Sequence, residues 1–142
     1  MLTSAEMRFV LDASVTLAWL FDDEASDNVE AVRMLAEEHG VHVPMHWAVE
    51  VANAAIKGER RRRATAAQTS RFFDYLRMLD IVADRQDPAV VLDQLSSLAR
   101  EYNISVYDAG YLALAERLQI SLATGDSGLT AAARRAGVSL LV

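Results

Sequence analysis

Four acids, Asp12, Glu50, Asp108 and Asp126, carry most of the chemical potential of this 142-residue chain. There is no cysteine, which removes disulfides, thiolate metal sites and cysteine nucleophiles. Asp12 closes the apolar run Met7–Leu11; such a position suits a ligand-binding carboxylate at a strand end, and equally a turn or helix cap. Glu50 shares one helix face with His46, Asn53 and Lys57, a pattern that a solvated polar stripe also produces. Asp108 follows Val106-Tyr107 at a helix start, where the helix dipole favours it, but Tyr111, Leu112 and Ala115 place it at the edge of a buried face. Asp126, in Thr124-Gly-Asp-Ser-Gly128, is also an ordinary turn residue.

The elements that must position these acids alternate in type. Strands are expected at Met7–Leu11, Val41–Val43, Ile81–Ala83, Ser121–Thr124 and Val138–Val142. Helices are expected over Val15–Phe21, Ala25–Glu38 with Gly40 as its stop, Pro44 to about Glu59, Ala64–Leu79, Pro88–Tyr102, Val106–Leu118 and Leu129–Ala136 with Gly137 as its stop. Alternation of this kind implies crossover units, a mainly parallel sheet and α/β class. Ligands bind such sheets beyond the carboxyl ends of the strands. Asp12 and Asp126 both fall there, and they meet if the first and fourth strands are neighbours.

Length and charge narrow the class. The length suits one domain over residues 1–142. The start, Met1-Leu-Thr-Ser-Ala-Glu-Met-Arg8, lacks the basic region and long apolar core of a signal peptide. No apolar run reaches the roughly 18 residues of a membrane span, so no membrane contact and a cytoplasmic location are expected. A net charge of −6 argues against a nonspecific nucleic-acid coat. Lys57, Arg60, Arg61, Arg62 and Arg63 nonetheless form one basic cluster, which is able to meet a polyanion locally.

Taken in order, the motifs form a set. Phe9-Val-Leu-Asp12-Ala-Ser14-Val15, Glu50 with Asn53, Val106-Tyr-Asp108-Ala-Gly-Tyr-Leu-Ala-Leu-Ala115 and Leu122-Ala-Thr124-Gly-Asp126-Ser-Gly-Leu129 together resemble the four acidic motifs of PIN-domain ribonucleases. The compact length is similar to the VapC toxins of toxin–antitoxin pairs. The resemblance implies a three-layer α/β/α domain with a central, mainly parallel sheet. It implies an endoribonuclease that hydrolyses RNA with Mg2+ or Mn2+, leaving a 3′-hydroxyl and a 5′-phosphate. In that scheme Asp12, Glu50 and Asp108 hold the principal metal, directly or through water, and Asp126 completes the site or holds a second ion. Ser14, Asn53 and Thr124 would support these ligands. The chemistry is consistent with this: clustered carboxylates need raised pKa values or a compensating cation, and hard oxygens select Mg2+ or Mn2+ over zinc. His39, His42 and His46 are not spaced with the acids as a zinc set.

The resemblance also implies a homodimer and a cognate antitoxin as partner. The apolar stretches Val15–Phe21 and Phe72–Leu79 suggest a partner surface at Trp19, Phe21 and Phe72 as well as core. The arginine run suggests a phosphate contact, although cations also favour a helix C-terminus. Other readings fare worse. A phospho-receiver module needs a late strand-end lysine, and the only lysine is Lys57. A dehalogenase-like phosphatase would read Asp12-Ala-Ser14-Val-Thr16 as its motif, with the second acid lost. No Walker loop or Gly-x-Gly-x-x-Gly is present. A catalytically silent PIN-like binding module remains the alternative that a metal titration would test.

Overall fold

The computed structural model describes residues 1–141. Four short strands, β1 (Phe9–Leu11), β2 (Val41–Pro44), β3 (Ile81–Asp84) and β4 (Leu122–Ala123), form one sheet in the order β3-β2-β1-β4. Every pairing is parallel. β1 and β4 are therefore neighbours, with Val10 opposite Leu122 and Leu11 opposite Ala123. Both strands are buried throughout, as continuous apolar runs in parallel sheets are. β3 lies at an edge and is half-exposed.

Helices flank the sheet: α1 (Ala13–Ala18), α2 (Asp27–His39), α3 (Trp47–Arg60), α4 (Ala66–Met78), α5 (Pro88–Val90), α6 (Ser96–Tyr102), α7 (Val106–Leu118) and α8 (Ser127–Ala136). Local chemistry sets their starts. Ser26 accepts from the Val29 amide at the head of α2, and Ser105 accepts from the Asp108 amide at the head of α7. Thr65 and Gln68 form a reciprocal capping box before α4. α7 is the most buried helix. Ala109, Tyr111, Leu112, Leu114 and Ala115 all lie inside, where the helix packs on β1 and β2.

Several expectations from sequence are corrected. Met7 belongs to a 3-10 turn, Ala5–Met7, so β1 begins at Phe9. α1 starts at Ala13, directly after Asp12, and ends at Ala18. Pro44 closes β2 instead of opening a helix. It lies past the two positions that β2 pairs with β1, so no further β1 partner waits for its absent N–H. Pro88 does open a helix, but a π turn over Val91–Leu95 separates α5 from α6. The expected last strand reduces to a bridge between Leu122 and Leu140, and its Val142 lies outside the described residues.

The surface proposed at Phe21 and Phe72 is also corrected, since these rings are 3% and 6% exposed. Phe72 and Val15 join the central core, against which Trp19 is only partly buried. Phe21 packs on Gly58 of α3, with the Arg63 guanidinium 4.0 Å above its ring centroid. A β-carbon on Gly58 would stand 2.5 Å from two ring carbons of Phe21. Overpacking of this kind costs about 1–3 kcal/mol. Gly58→Ala is expected to lose about that much in a urea unfolding curve, whereas an unchanged midpoint would mean that the ring moves aside.

Candidate active site

β1 delivers Asp12 into the interior, where its side chain is only 4% exposed. Asp12 Oδ2 accepts from Ser14 Oγ at 2.8 Å and from Thr124 Oγ1 at 2.6 Å. Each hydroxyl is itself fixed: Ser14 Oγ accepts from the Gly125 amide at 2.9 Å, and Thr124 Oγ1 from the Asp126 amide at 3.0 Å. This closed set of hydrogen bonds joins the ends of β1 and β4. Burial pushes the Asp12 carboxyl up despite the two hydroxyl donors, which act the other way.

Glu50 comes from the first turn of α3. Its Oε1 accepts from the Tyr111 hydroxyl at 3.1 Å and lies 3.3 Å from His46 Nε2. Burial pushes Glu50 up to about 7, helped by the charges of Asp12 and Asp108 and opposed by the Tyr111 hydrogen bond. Asp108 sits half-buried at the head of α7. Burial, then Asp126 and then Asp12, pushes it up to about 6. Asp126 is exposed and caps α8, accepting from the Leu129 amide at 2.7 Å.

The four acids are thus brought within electrostatic reach of one another. Among the described residues no arginine or lysine forms an ion pair with any of them. His46 is the single cationic candidate beside the cluster, and burial pushes its pKa down. No three His, Asp or Glu groups among the described residues are gathered tightly enough to ligate an ion as they stand. What remains is a mutually repelling set of hard oxygen donors, running from the buried Asp12 through the half-buried Glu50 and Asp108 to the exposed Asp126.

Of the three expected supporting residues, Ser14 and Thr124 hold Asp12 directly. Asn53 is exposed on α3 and takes no part in this hydrogen-bond set. Sequence reasoning missed Tyr111, which had passed as an apolar core residue. Burial, followed by Asp12 and Glu50, keeps its hydroxyl protonated and able to donate. His46 had been only a neighbour of Glu50 on a helix face. In the fold it caps α3, meets the Tyr107 carbonyl at 2.9 Å and packs edge-on against the Tyr111 ring. Gly110 makes room for it, since a β-carbon there would stand 2.4 Å from His46 Cε1. The pairing of a polar aromatic on α7 with a histidine four residues before Glu50 was the available signal.

The basic cluster divides. Lys57 and Arg60 ride on α3, and Arg61 caps it. Arg62 adopts a left-handed conformation, φ 58°, so the run leaves the helix axis. Arg63 is engaged by Asp23 and Glu24 at 3.0 and 2.6 Å. Arg60, Arg61 and Arg62 are exposed.

A family model described as PIN domain matches residues 9–135. The chain belongs to the PIN-domain family. Among curated proteins, this PIN domain is 32% identical to Ribonuclease VapC3 of Pyrobaculum aerophilum, over 87% of this chain and 92% of that protein. It is 35% identical to Ribonuclease VapC9 of Mycobacterium tuberculosis, over 85% and 87%. In fold, it is similar to the crystal structure of PAE2754 from Pyrobaculum aerophilum, with a TM-score of 0.69 and 22% identity, covering 92% of this chain and 87% of that one. The FitAcB structure from Neisseria gonorrhoeae gives a TM-score of 0.55 at 18% identity, over 93% and 95%. No helix among the described residues is long and apolar enough to cross a membrane.

Proposed function

We propose that this PIN domain is an endoribonuclease that uses Mg2+ or Mn2+ and acts as the toxin of a toxin–antitoxin pair. The observation that carries the reading is the uncompensated carboxylate cluster, with Asp12 fastened by hydroxyls from both ends of the fold. The VapC ribonucleases it resembles support the substrate class. Asp12, Glu50 and Asp108 would hold the principal ion, directly or through water, and Asp126 would complete the site. Hard carboxylate oxygens without a nearby fixed cation suit a small divalent ion that keeps several waters. Such an ion lowers the pKa of a bound water and offsets charge on the phosphate.

The chain's own groups orient this chemistry. Ser14 and Thr124 keep Asp12 in one rotamer, and Tyr111 holds one oxygen of Glu50. No step needs the ribose 2′-hydroxyl, so RNA preference comes from contacts and shape. The expected products carry a 3′-hydroxyl and a 5′-phosphate. Incubation with total RNA should give fragments with Mg2+ or Mn2+ and none with chelator. Intact RNA under every metal condition would overturn the reading.

Arg60, Arg61 and Arg62, with Lys57, form the proposed path for the RNA backbone. Replacing these three arginines with alanine should flatten the salt dependence of RNA binding, by up to ~0.7 log–log units per lost phosphate contact. An unaltered slope would remove them from the path. The antitoxin surface is placed at the groove beside Trp19, a cavity of about 390 Å3 lined also by Leu20, Val29, Arg33 and Tyr75. A second copy of the chain is expected to cover apolar surface near the β3 edge, where Met78 and Val82 are exposed.

A further inference from the structure

A second cavity opens beside the carboxylates and plays no part in holding them. It encloses about 480 Å3, within the range of small-ligand clefts, ~300–1,000 Å3. Met45, Val91, Leu95 and Val106 supply apolar walls, and the π turn Val91–Leu95 forms one side. π turns interrupt helical hydrogen bonding and occur frequently at functional sites. Tyr107 lines the opening and is 59% exposed, so its ring is accessible to a ligand.

Tyr107 is tied to the acidic cluster from two directions. It directly precedes Asp108 in the chain. Its carbonyl also meets His46 Nε2 at 2.9 Å, and that nitrogen lies 3.3 Å from Glu50 Oε1. The His46 ring packs against the Tyr107 ring, with centroids 5.5 Å apart and planes at 78°, which fixes the tyrosine's attitude. The cavity therefore adjoins the acidic cluster through His46, which lines it and lies 3.3 Å from Glu50.

The lining restricts the occupant. No lysine, arginine, aspartate or glutamate lines the cavity, and the Nε2 of His46, which does line it, is already engaged by the Tyr107 carbonyl, so a phosphate finds no fixed cation and an ammonium group no carboxylate there. Gln86 contributes an amide that offers both donors and an acceptor. A flat, neutral group with hydrogen-bonding edges matches apolar walls, the rings of Tyr107 and His46 and one amide. Single-stranded RNA presents that group in its unstacked bases, which proteins hold by stacking on aromatic side chains.

We propose that this cavity receives an unpaired nucleobase of the RNA strand held at the carboxylates, stacked on Tyr107 with its edge read by Gln86. The inference rests on the ribonuclease reading and deepens it, by adding a base-selective subsite to a site that otherwise grips only phosphate. The test uses single-stranded hexaribonucleotides with one abasic position moved along the strand. Binding is measured in Ca2+, to limit turnover, for the wild type, Tyr107→Ala and Tyr107→Phe. One abasic position should weaken wild-type binding about 5- to 150-fold, the range of one stacked base. Tyr107→Ala should bind all the strands alike, and Tyr107→Phe should restore the dependence. Gln86→Ala should keep the stacking position while narrowing the difference between bases placed there. A flat wild-type profile, or an unchanged profile in Tyr107→Ala, would overturn the subsite and leave the ribonuclease reading standing. Conversion of a dimer to a monomer by Tyr107→Ala in sedimentation would assign the cavity to a contact between copies and overturn it as well. A wild type that neither binds these strands nor degrades RNA would show that the ribonuclease reading had failed, and the subsite with it.

Discussion

Asp12→Asn is expected to abolish RNA cleavage while making the metal-free protein more stable. The two effects have one cause. Asp12 is buried against a low-polarity interior that pushes its carboxyl up, so its charge opposes folding until a cation meets it. Asparagine keeps the shape and can still accept from Ser14 and Thr124, so the fold has no reason to fail. It gives up the charge that the proposed ion needs. Loss of an orienting partner around a metal ligand typically costs 10–100-fold. Ser14→Ala should fall in that range, and Asp12→Asn should exceed about 100-fold. Cleavage rates under excess Mg2+ and melting curves in chelator together test this. A variant that cleaves normally would remove Asp12 from the site, and one that melts earlier without metal would show that its charge is not a burden.

Mg2+ is expected to stabilise the protein, strongly at pH 8 and weakly at pH 5. Glu50 and Asp108 have folded-state values of about 7 and about 6, both raised chiefly by burial. Between the unfolded values near ~4 and these folded values, the native state holds protons that the unfolded state has released. Stability without metal therefore falls as pH rises through that window and levels off above about pH 7. A divalent ion competes with the same protons, so its effect grows as they leave. At a hundred times its dissociation constant it contributes about 2.7 kcal/mol, or roughly 5–10 °C in melting temperature for a domain of this size. Thermal melts at both pH values, with Mg2+ and with chelator, measure it. An equal shift at both, or none at tens of millimolar, would count against an ion at these carboxylates.

Much of the fold was legible because its signals are local. The strand cores at Phe9–Leu11 and Ile81–Ala83 are continuous apolar runs, Val41–Val43 places two valines about His42, and α7 was read to the residue, Val106–Leu118. Errors arose where tertiary contacts decide. Pro44 looks like a helix start in isolation, but it takes the last position of β2 opposite Asp84. Phe21 looks like a partner surface until α3 closes over it at Gly58. The same division runs through the site. Asp12, Asp108 and Asp126 stood out by their places at a strand end, a helix start and a turn, but the set of four, and the supporting roles of Ser14 and Thr124, came from the resemblance to PIN domains. Tyr111 could not be chosen, because its hydroxyl meets Glu50 only once the packing of α7 on the sheet brings it there. Asn53 was given a supporting role by the resemblance, and it faces solvent, as helix spacing alone allowed. Helix periodicity gives a face, and only packing says what that face meets.

The pairing of β1 with β4 has a temporal consequence. These adjacent strands lie at opposite ends of the chain, and Asp12 is fastened by a threonine 112 residues away. Closing so long a loop is entropically disfavoured until other elements bring the ends together. During synthesis the first three strands and α7 emerge before β4, and Asp12 then has Ser14 beside it but lacks the Thr124 hydroxyl and the Ala123 carbonyl that its own amide donates to. A nascent chain therefore cannot complete the Asp12 hydrogen-bond set until β4 has emerged, so the order of the strands sets when that set can form.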